Sequence, residues 1–200
     1  IKAALGIGGS LAVIGGFLVS ALGGSLVVAG LHSKVRVHIH VNDPSEVFRV
    51  AARFGTVAGE KADDMQRQQH SAHSTDRRVA IVTDSAADIP EAELDRLDIH
   101  MIPVRVHFGA RSYLDKVGIT SDEFYAEIER GTEPPKTSQP PPGDFRRQFE
   151  FLGSHHSAVI SINLTSRVSG TCAAAQTAAA RSATHGKVSV IDTGNVSAGQ

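Results

Sequence analysis

From Lys34 the chain alternates strictly, with Lys34, Arg36, His38 and His40 on one side and Val35, Val37, Ile39 and Val41 on the other. A period of two predicts a half-buried strand. Asp43-Pro44-Ser45-Glu46 then supplies an N-cap, a proline for the first helical position and a first-turn carboxylate. Val47, Val50, Ala51 and Phe54 follow at helical spacing, and Gly55 is placed to take the left-handed position that ends the helix. Upstream, no charged residue occurs from Ala3 to Leu31, a run long enough to cross a bilayer. Glycine recurs through it, at Gly6, Gly8, Gly9, Gly15, Gly16, Gly23, Gly24 and Gly30, and each interior glycine costs a helix about 1 kcal/mol against alanine. The run therefore divides into short apolar pieces, LAVIGGFLV and SLVVAG, expected to be buried strands or short helices. A membrane anchor through residues 3–31 is the competing reading. A signal peptide is not predicted, because Lys2 is the one positive residue ahead of the run and no polar exit follows promptly.

Residues 63–77 are almost wholly polar, with Met65 their one large apolar side chain, and read as a linker. A second rhythm starts beyond it. VAIVTDS is a short apolar strand. Asp88, Pro90 and Glu91 open a helix carrying Leu94 and Leu97, and IHMIPVRVHF alternates like one strand. Thr120 and Glu123 have capping-box spacing for a helix ended by Gly131. The segment TEPPKTSQPPPG is too proline-rich for regular structure and is expected to be a surface loop. DFRRQFEFL keeps Phe145, Phe149 and Leu152 on one helical face, AVISINL is a strand, Ser169 to Thr184 an alanine-rich helix, and Lys187 to Asp192 a last strand. Alternating strands and helices predict an α/β fold, a mostly parallel sheet with helices on both faces, preceded by a smaller α+β domain. In such sheets ligands gather at the carboxyl ends of the strands.

Composition narrows the function. A net charge of -1 leaves no field to gather nucleic acid or anionic lipid. Cys172 is the only cysteine, so no intrachain disulfide forms and cytoplasm is the default compartment. The chain starts at Ile1 and stops at Gln200 shortly after a strand, and both ends are expected to cut through longer domains.

Three hydroxyl-bearing loops fall where the parallel sheet would meet a ligand: Thr83-Asp84-Ser85, Thr137-Ser138-Gln139, and Thr165-Ser166 with Ser169-Gly170-Thr171. The last leads into a helix, whose first N–H groups and partial positive charge suit an anion. Taken singly, each loop is read at least as well as an ordinary helix N-cap. An enzyme with Ser166 or Ser169 as nucleophile and a histidine as base, a hydrolase or transferase, is a further reading, although no G-x-S-x-G elbow is present. No P-loop and no carboxylate cluster for magnesium occurs.

Residues 78–200 resemble the DegV family through VAIVTDSAADIP, MIPVRVHFGARSYLD, ITSDEFYAEI, PPKTSQP, TSRVSGT and VIDTG, in the family's order and spacing. The resemblance covers the front half of the family's domain and implies a bacterial protein that binds a long-chain fatty acid without catalysing a reaction itself. It implies that Thr137 and Ser166 hold the carboxylate, with Ser138, Thr165, Ser169, Gly170, Asp84 and Ser85 at the pocket mouth. Three positions depart from the family pattern: Cys172 replaces a usual aromatic, Thr165-Ser166 a serine pair, and Thr193 a common serine. An acyl chain of ~14 methylenes carries on the order of 11 kcal/mol of transfer free energy. Each hydrogen bond to a charged oxygen adds about 1.5–3 kcal/mol. The tail would supply affinity and the hydroxyls orientation.

Residues 1–62 contain LGGSLVVAGLHSKVRVHIHVNDPSEVFRVAARFG and resemble the middle part of the catalytic subunit of fatty acid kinase, which is related to the dihydroxyacetone kinases. Together the resemblances imply a fusion whose partner is a fatty acid kinase catalytic domain, in cis or in trans. The nucleotide-binding domain lies upstream of this region in such proteins. They also imply a zinc-type site: His38 and His40 project from one face of a strand and could share a metal. The cysteine that the resemblance would add to them would lie upstream and does not occur among these residues. No other cofactor is expected.

Overall fold

A computed structural model describes residues 2–8, 19–31, 34–63, 78–131 and 133–200. In chain order its elements are β1 (Lys2–Gly8), β2 (Gly24–Leu31), β3 (Lys34–His40), α1 (Pro44–Ala52), β4 (Thr56–Asp63), β5 (Val79–Asp84), α2 (Glu91–Leu97), β6 (Ile99–Ile102), β7 (Arg105–Phe108) and β8 (Arg111–Leu114). They continue as α3 (Ser121–Glu129), β9 (Pro135–Ser138), α4 (Pro142–His155), β10 (Ala158–Asn163), α5 (Thr171–Arg181) and β11 (Val188–Asp192). The linker expected over 63–77 lies outside the described residues apart from Asp63, which closes β4.

The chain forms two compact units, Ile1–Gln66 with Val106–Lys136 and Arg67–Arg105 with Thr137–Gln200. Compactness thus divides it differently from family resemblance, since residues 106–136 interrupt the second unit and join the first.

In the first unit four strands form a sheet of order β2-β3-β1-β4. β1 is antiparallel to both β3 and β4, and β2 is antiparallel to β3. The alternation that opens the sequence is realised in β3: Val35, Val37 and Ile39 are buried and Arg36, His38 and His40 exposed. α1 lays Val47, Phe48 and Ala51 on Leu5 and Ile7. Its start is fixed by Asp43, whose carboxylate accepts the Ser45 N–H at 2.8 Å and the Ser45 hydroxyl at 2.6 Å. The hydroxyl bond foremost holds the Asp43 carboxyl below its ordinary value.

Gly55 does not take the left-handed position. Its φ is not positive, and a Cβ there would lie 2.0 Å from the Gly8 carbonyl oxygen, so glycine is required by the approach of two backbones. The uncharged stretch at residues 3–31 holds strands β1 and β2 with a short 3-10 turn at Val19–Leu22; residues 9–18 lie outside the described set. Among the described residues no helix is long and apolar enough to cross a membrane.

The apparent strand IHMIPVRVHF is two. Pro103, which cannot donate to a ladder, separates β6 from β7, and the two belong to different sheets, of order β11-β10-β5-β6 and β8-β7-β9. The proline-rich loop also contains regular structure. Pro135 begins the edge strand β9, a position that tolerates proline. The Thr120 capping box forms as expected, with the Glu123 N–H donating to Thr120 Oγ1 at 3.3 Å and the Thr120 N–H to Glu123 Oε2 at 3.0 Å. Gly131 follows with φ 64°.

In the second unit β11, β10, β5 and β6 are all parallel, as predicted. Phe145, Phe149 and Leu152 of α4 and Ala174, Ala175 and Ala178 of α5 pack over Ala80, Val82 and Val159. The alanines permit close helix packing, which accounts for the alanine-rich stretch.

Candidate functional site at the carboxyl end of the parallel sheet

Strands β5, β10 and β11 end at Asp84, Asn163 and Asp192. Asp84 is fully buried and is the hub. Its Oδ2 accepts from Asn163 Nδ2 at 3.2 Å, the Leu164 N–H at 3.0 Å and Gln200 Nε2 at 3.2 Å, while Oδ1 accepts the Ala86 N–H at 3.1 Å. Ser161 donates to Asn163 Oδ1 at 2.9 Å. Such a saturated carboxylate fixes the loops above it and has little capacity left for a ligand. Ser85 is also buried, and its hydroxyl accepts the Val104 N–H at 3.0 Å.

Of the loop hydroxyl residues, Ser166 and Thr137 are the exposed ones. Ser166 is exposed, and its N–H donates to both carboxylate oxygens of Asp192, at 3.2 and 3.3 Å. The Ser166 hydroxyl is the first cause of the lowered Asp192 carboxyl, followed by the N–H of Gly194 and that of Ser166 itself. Thr165 is buried; its N–H donates to the Asn195 carbonyl at 2.9 Å and its Oγ1 accepts the Arg167 N–H at 3.3 Å. Ser169 Oγ pairs with Thr171 Oγ1 at 2.9 Å and accepts the Thr171 N–H at 3.2 Å, ordering the entry to α5. A Cβ on Gly170 would fall 2.9 Å from Gln139 Nε2. The Gln139 side chain thus reaches the serine loop at Gly170, and the threonine loop and the serine loop meet at that point. Thr137 is exposed and Ser138 half-buried.

The rim is apolar. Val168, Ile191 and Val196 are 72%, 45% and 51% exposed and flank Ser166, Asp192 and Asn195 in the chain. Cys172 is buried one residue into α5, where desolvation first, then the charges of Asp192 and Asp84, push its thiol above its ordinary value. No local pattern announces the loop-holding role of Asp192; its place at a strand's carboxyl end within VIDTG is the one signal the sequence carries. In the first unit, His38 and His40 share the exposed face of β3. Among the described residues no three histidine, cysteine, aspartate or glutamate side chains stand together as a metal site, and two imidazoles half-fill a tetrahedral zinc shell.

The family model for DegV proteins, a family described as uncharacterised, matches residues 78–200. The chain belongs to the DegV family. Residues 18–72 match the FakA-like middle domain of fatty acid kinase. Protein DegV of Bacillus subtilis is 42% identical over 100 residues, 50% of this chain and 36% of that protein. A DegV domain-containing 15.5 kDa protein of Staphylococcus aureus is 38% identical over 119 residues, 60% of this chain and 83% of the relative. Two crystallised proteins share the fold at TM-score 0.56. A DegV family protein of Thermus thermophilus, described for its fatty acid binding, is 33% identical, with 60% of this chain and 42% of that one covered. DegV of Bacillus subtilis, described as a fatty acid binding protein, is 35% identical, with 61% and 43% covered. The chain therefore spans about two fifths of the length of most of these DegV relatives.

Proposed function

We propose that the DegV segment binds a long-chain fatty acid, with Thr137 and Ser166 donating to its carboxylate and Ser138, Thr165, Ser169 and Gly170 shaping the mouth. Asp84 and Ser85 act beneath the mouth by fixing its loops. The observation that carries this reading is the exposed Ser166 on the loop after β10, in the same loop as Gly170, which Gln139 of the threonine loop approaches, with the exposed apolar residues Val168, Ile191 and Val196 nearby in the chain. A carboxylate with a long tail needs donors at one end and a greasy path at the other. The fatty acid binding described for the relatives from Thermus thermophilus and Bacillus subtilis supports the same ligand class.

The segment 1–62, joined through 63–77 to the lobe 78–200, supports a further step. Its match to a FakA-like domain of fatty acid kinase fits a module that presents the carboxylate to a kinase catalytic domain, in cis or in trans, rather than one that catalyses the reaction itself. The bound carboxylate oxygen would then take the terminal phosphoryl group of a nucleoside triphosphate, giving acyl phosphate and the diphosphate.

Mass spectrometry of an organic extract of the natively purified protein tests the binding. A long-chain fatty acid should be recovered, and Thr137→Ala or Ser166→Ala should weaken its rebinding about 10- to 100-fold each, the worth of one hydrogen bond to a charged oxygen. Unchanged affinity in the double variant would refute the assignment.

A further inference from the structure

Residues 106–136 lie inside the DegV match yet fall in one compact unit with the kinase-like segment; Val106, Phe108 and Ile119 form a small core of their own, and Leu114 joins the core of the kinase-like segment. Leu114, at the end of β8, is 2% exposed and belongs to the same buried cluster as Ile7, Val47, Phe48 and Ala51, with Val117 packed against it. Gly118 sits over the same ring, where a Cβ would be 3.4 Å from Phe48 Cδ2. Arg49 on α1 reaches Glu123 on α3 at 3.2 Å. A cleft of about 510 Å³ beside these contacts is lined by Phe54 and Val57 from one segment and by Arg111 and Tyr113 from the other.

We propose that residues 106–136 are a docking arm of the DegV lobe, and that the partner they fit is the α1–β4 face of a FakA-like middle domain of fatty acid kinase, here engaged in cis. Three features support the assignment. The arm departs from the parallel sheet at Pro103, so it adds nothing to that sheet's hydrogen bonding. Its most buried apolar side chain in this core, Leu114, is placed among residues of the kinase-like segment. Its charged contact, Glu123, meets a cation of the same segment, so the two surfaces agree in both polarity and charge. This reading is independent of whether the lobe binds a fatty acid.

The test cuts the folded chain once. A recognition sequence for a site-specific protease between His70 and Ser71 allows full-length protein to be nicked after folding, giving two polypeptides with the arm in the second. The halves should co-elute in size-exclusion chromatography. Leu114→Ala and Phe48→Ala should each weaken their association at least about 30-fold, as for a truncated core side chain, and the double variant should lose less than the product. Should Leu114→Ala fail to fold, charge reversal decides. Arg49→Glu should weaken association about two- to fivefold; Glu123→Arg, which also removes the Thr120 capping box, should weaken it more, and the two together should lose less than the product of the single effects. Separation of the wild-type halves, or association unchanged by the core variants and by the reversals, would overturn the proposal.

Discussion

Asp192 accepts the Ser166 backbone N–H on both its carboxylate oxygens, at 3.2 and 3.3 Å. A residue proposed to hold one carboxylate thus has another carboxylate bound to its backbone, and an acid ligand there must bind against the charge of Asp192. The two roles of Asp192, placing the loop and repelling an anion, separate by substitution. Asp192→Asn keeps an acceptor for the N–H groups but removes the charge, and should tighten fatty acid binding about threefold, the scale of a solvent-screened charge pair. Asp192→Ala loses the acceptor and should weaken binding. Titration with a fluorescent fatty acid distinguishes them, and equal affinities in both variants would show that Asp192 does neither.

Asp84 should tolerate no amide. Oδ2 receives three donors and Oδ1 one, so whichever way an asparagine is turned its NH2 faces at least one of them. Asp84→Asn is expected to destabilise the protein by about 3–5 kcal/mol, nearly as much as Asp84→Ala. Urea denaturation followed by circular dichroism gives the comparison.

Glu127 is 7% exposed and takes Arg111 at 2.5 Å and Arg130 on its two oxygens. The Arg111 hydrogen bond foremost keeps its carboxyl below the ordinary value. Because the folded value is depressed, the resulting stability is complete above the unfolded value, about 4.3, and is lost as pH falls through the folded one. Glu127→Gln should cost about 1–2 kcal/mol at pH 7, a figure reduced for the exposure of both arginines. The gap between variant and wild type should close below about pH 4 in melts recorded across that range.

Two glycines of the first unit should fail for different reasons. Gly55→Ala drives a Cβ into the Gly8 carbonyl at 2.0 Å, and about 2–4 kcal/mol of destabilisation is expected from overpacking against backbone. Gly59 has φ 69° with nothing within 4 Å of a Cβ, so Gly59→Ala should cost only its left-handed strain, about 1 kcal/mol. Thermal melts of the two variants should rank accordingly.

The parts legible in the sequence are those governed by local chemistry. The alternation around Val37, the Asp43 cap, the Thr120 capping box and the apolar face through Phe145, Phe149 and Leu152 each require only neighbours in the chain. The hydroxyl loops were legible because carboxyl ends of parallel strands follow from element order. What escaped depended on distant partners. Spacing alone makes Gly55 a helix terminator, because Gly8, which crowds it, is 47 positions away. Pro103 gave no sign that β6 and β7 would enter different sheets, since both halves alternate alike. β4 was missed because TVAGEKAD has little apolar alternation; it is a strand because β1 offers it an edge. Asp192 was seen as part of a motif, but its grip on Ser166 exists only once β10 and β11 lie side by side.

The interleaving of the two units imposes an order on synthesis. β5 and β6 leave the ribosome before residues 106–136, whereas β10, which must lie against the other side of β5, follows them. The nascent parallel sheet therefore waits with one flank of β5 unpaired while the arm emerges and settles on the already complete strands β1 to β4. An early-settling arm shortens the interval in which that open flank can pair with another chain. A nascent chain stalled with β5 and β6 outside the ribosome and β10 still inside it should accordingly be the most aggregation-prone.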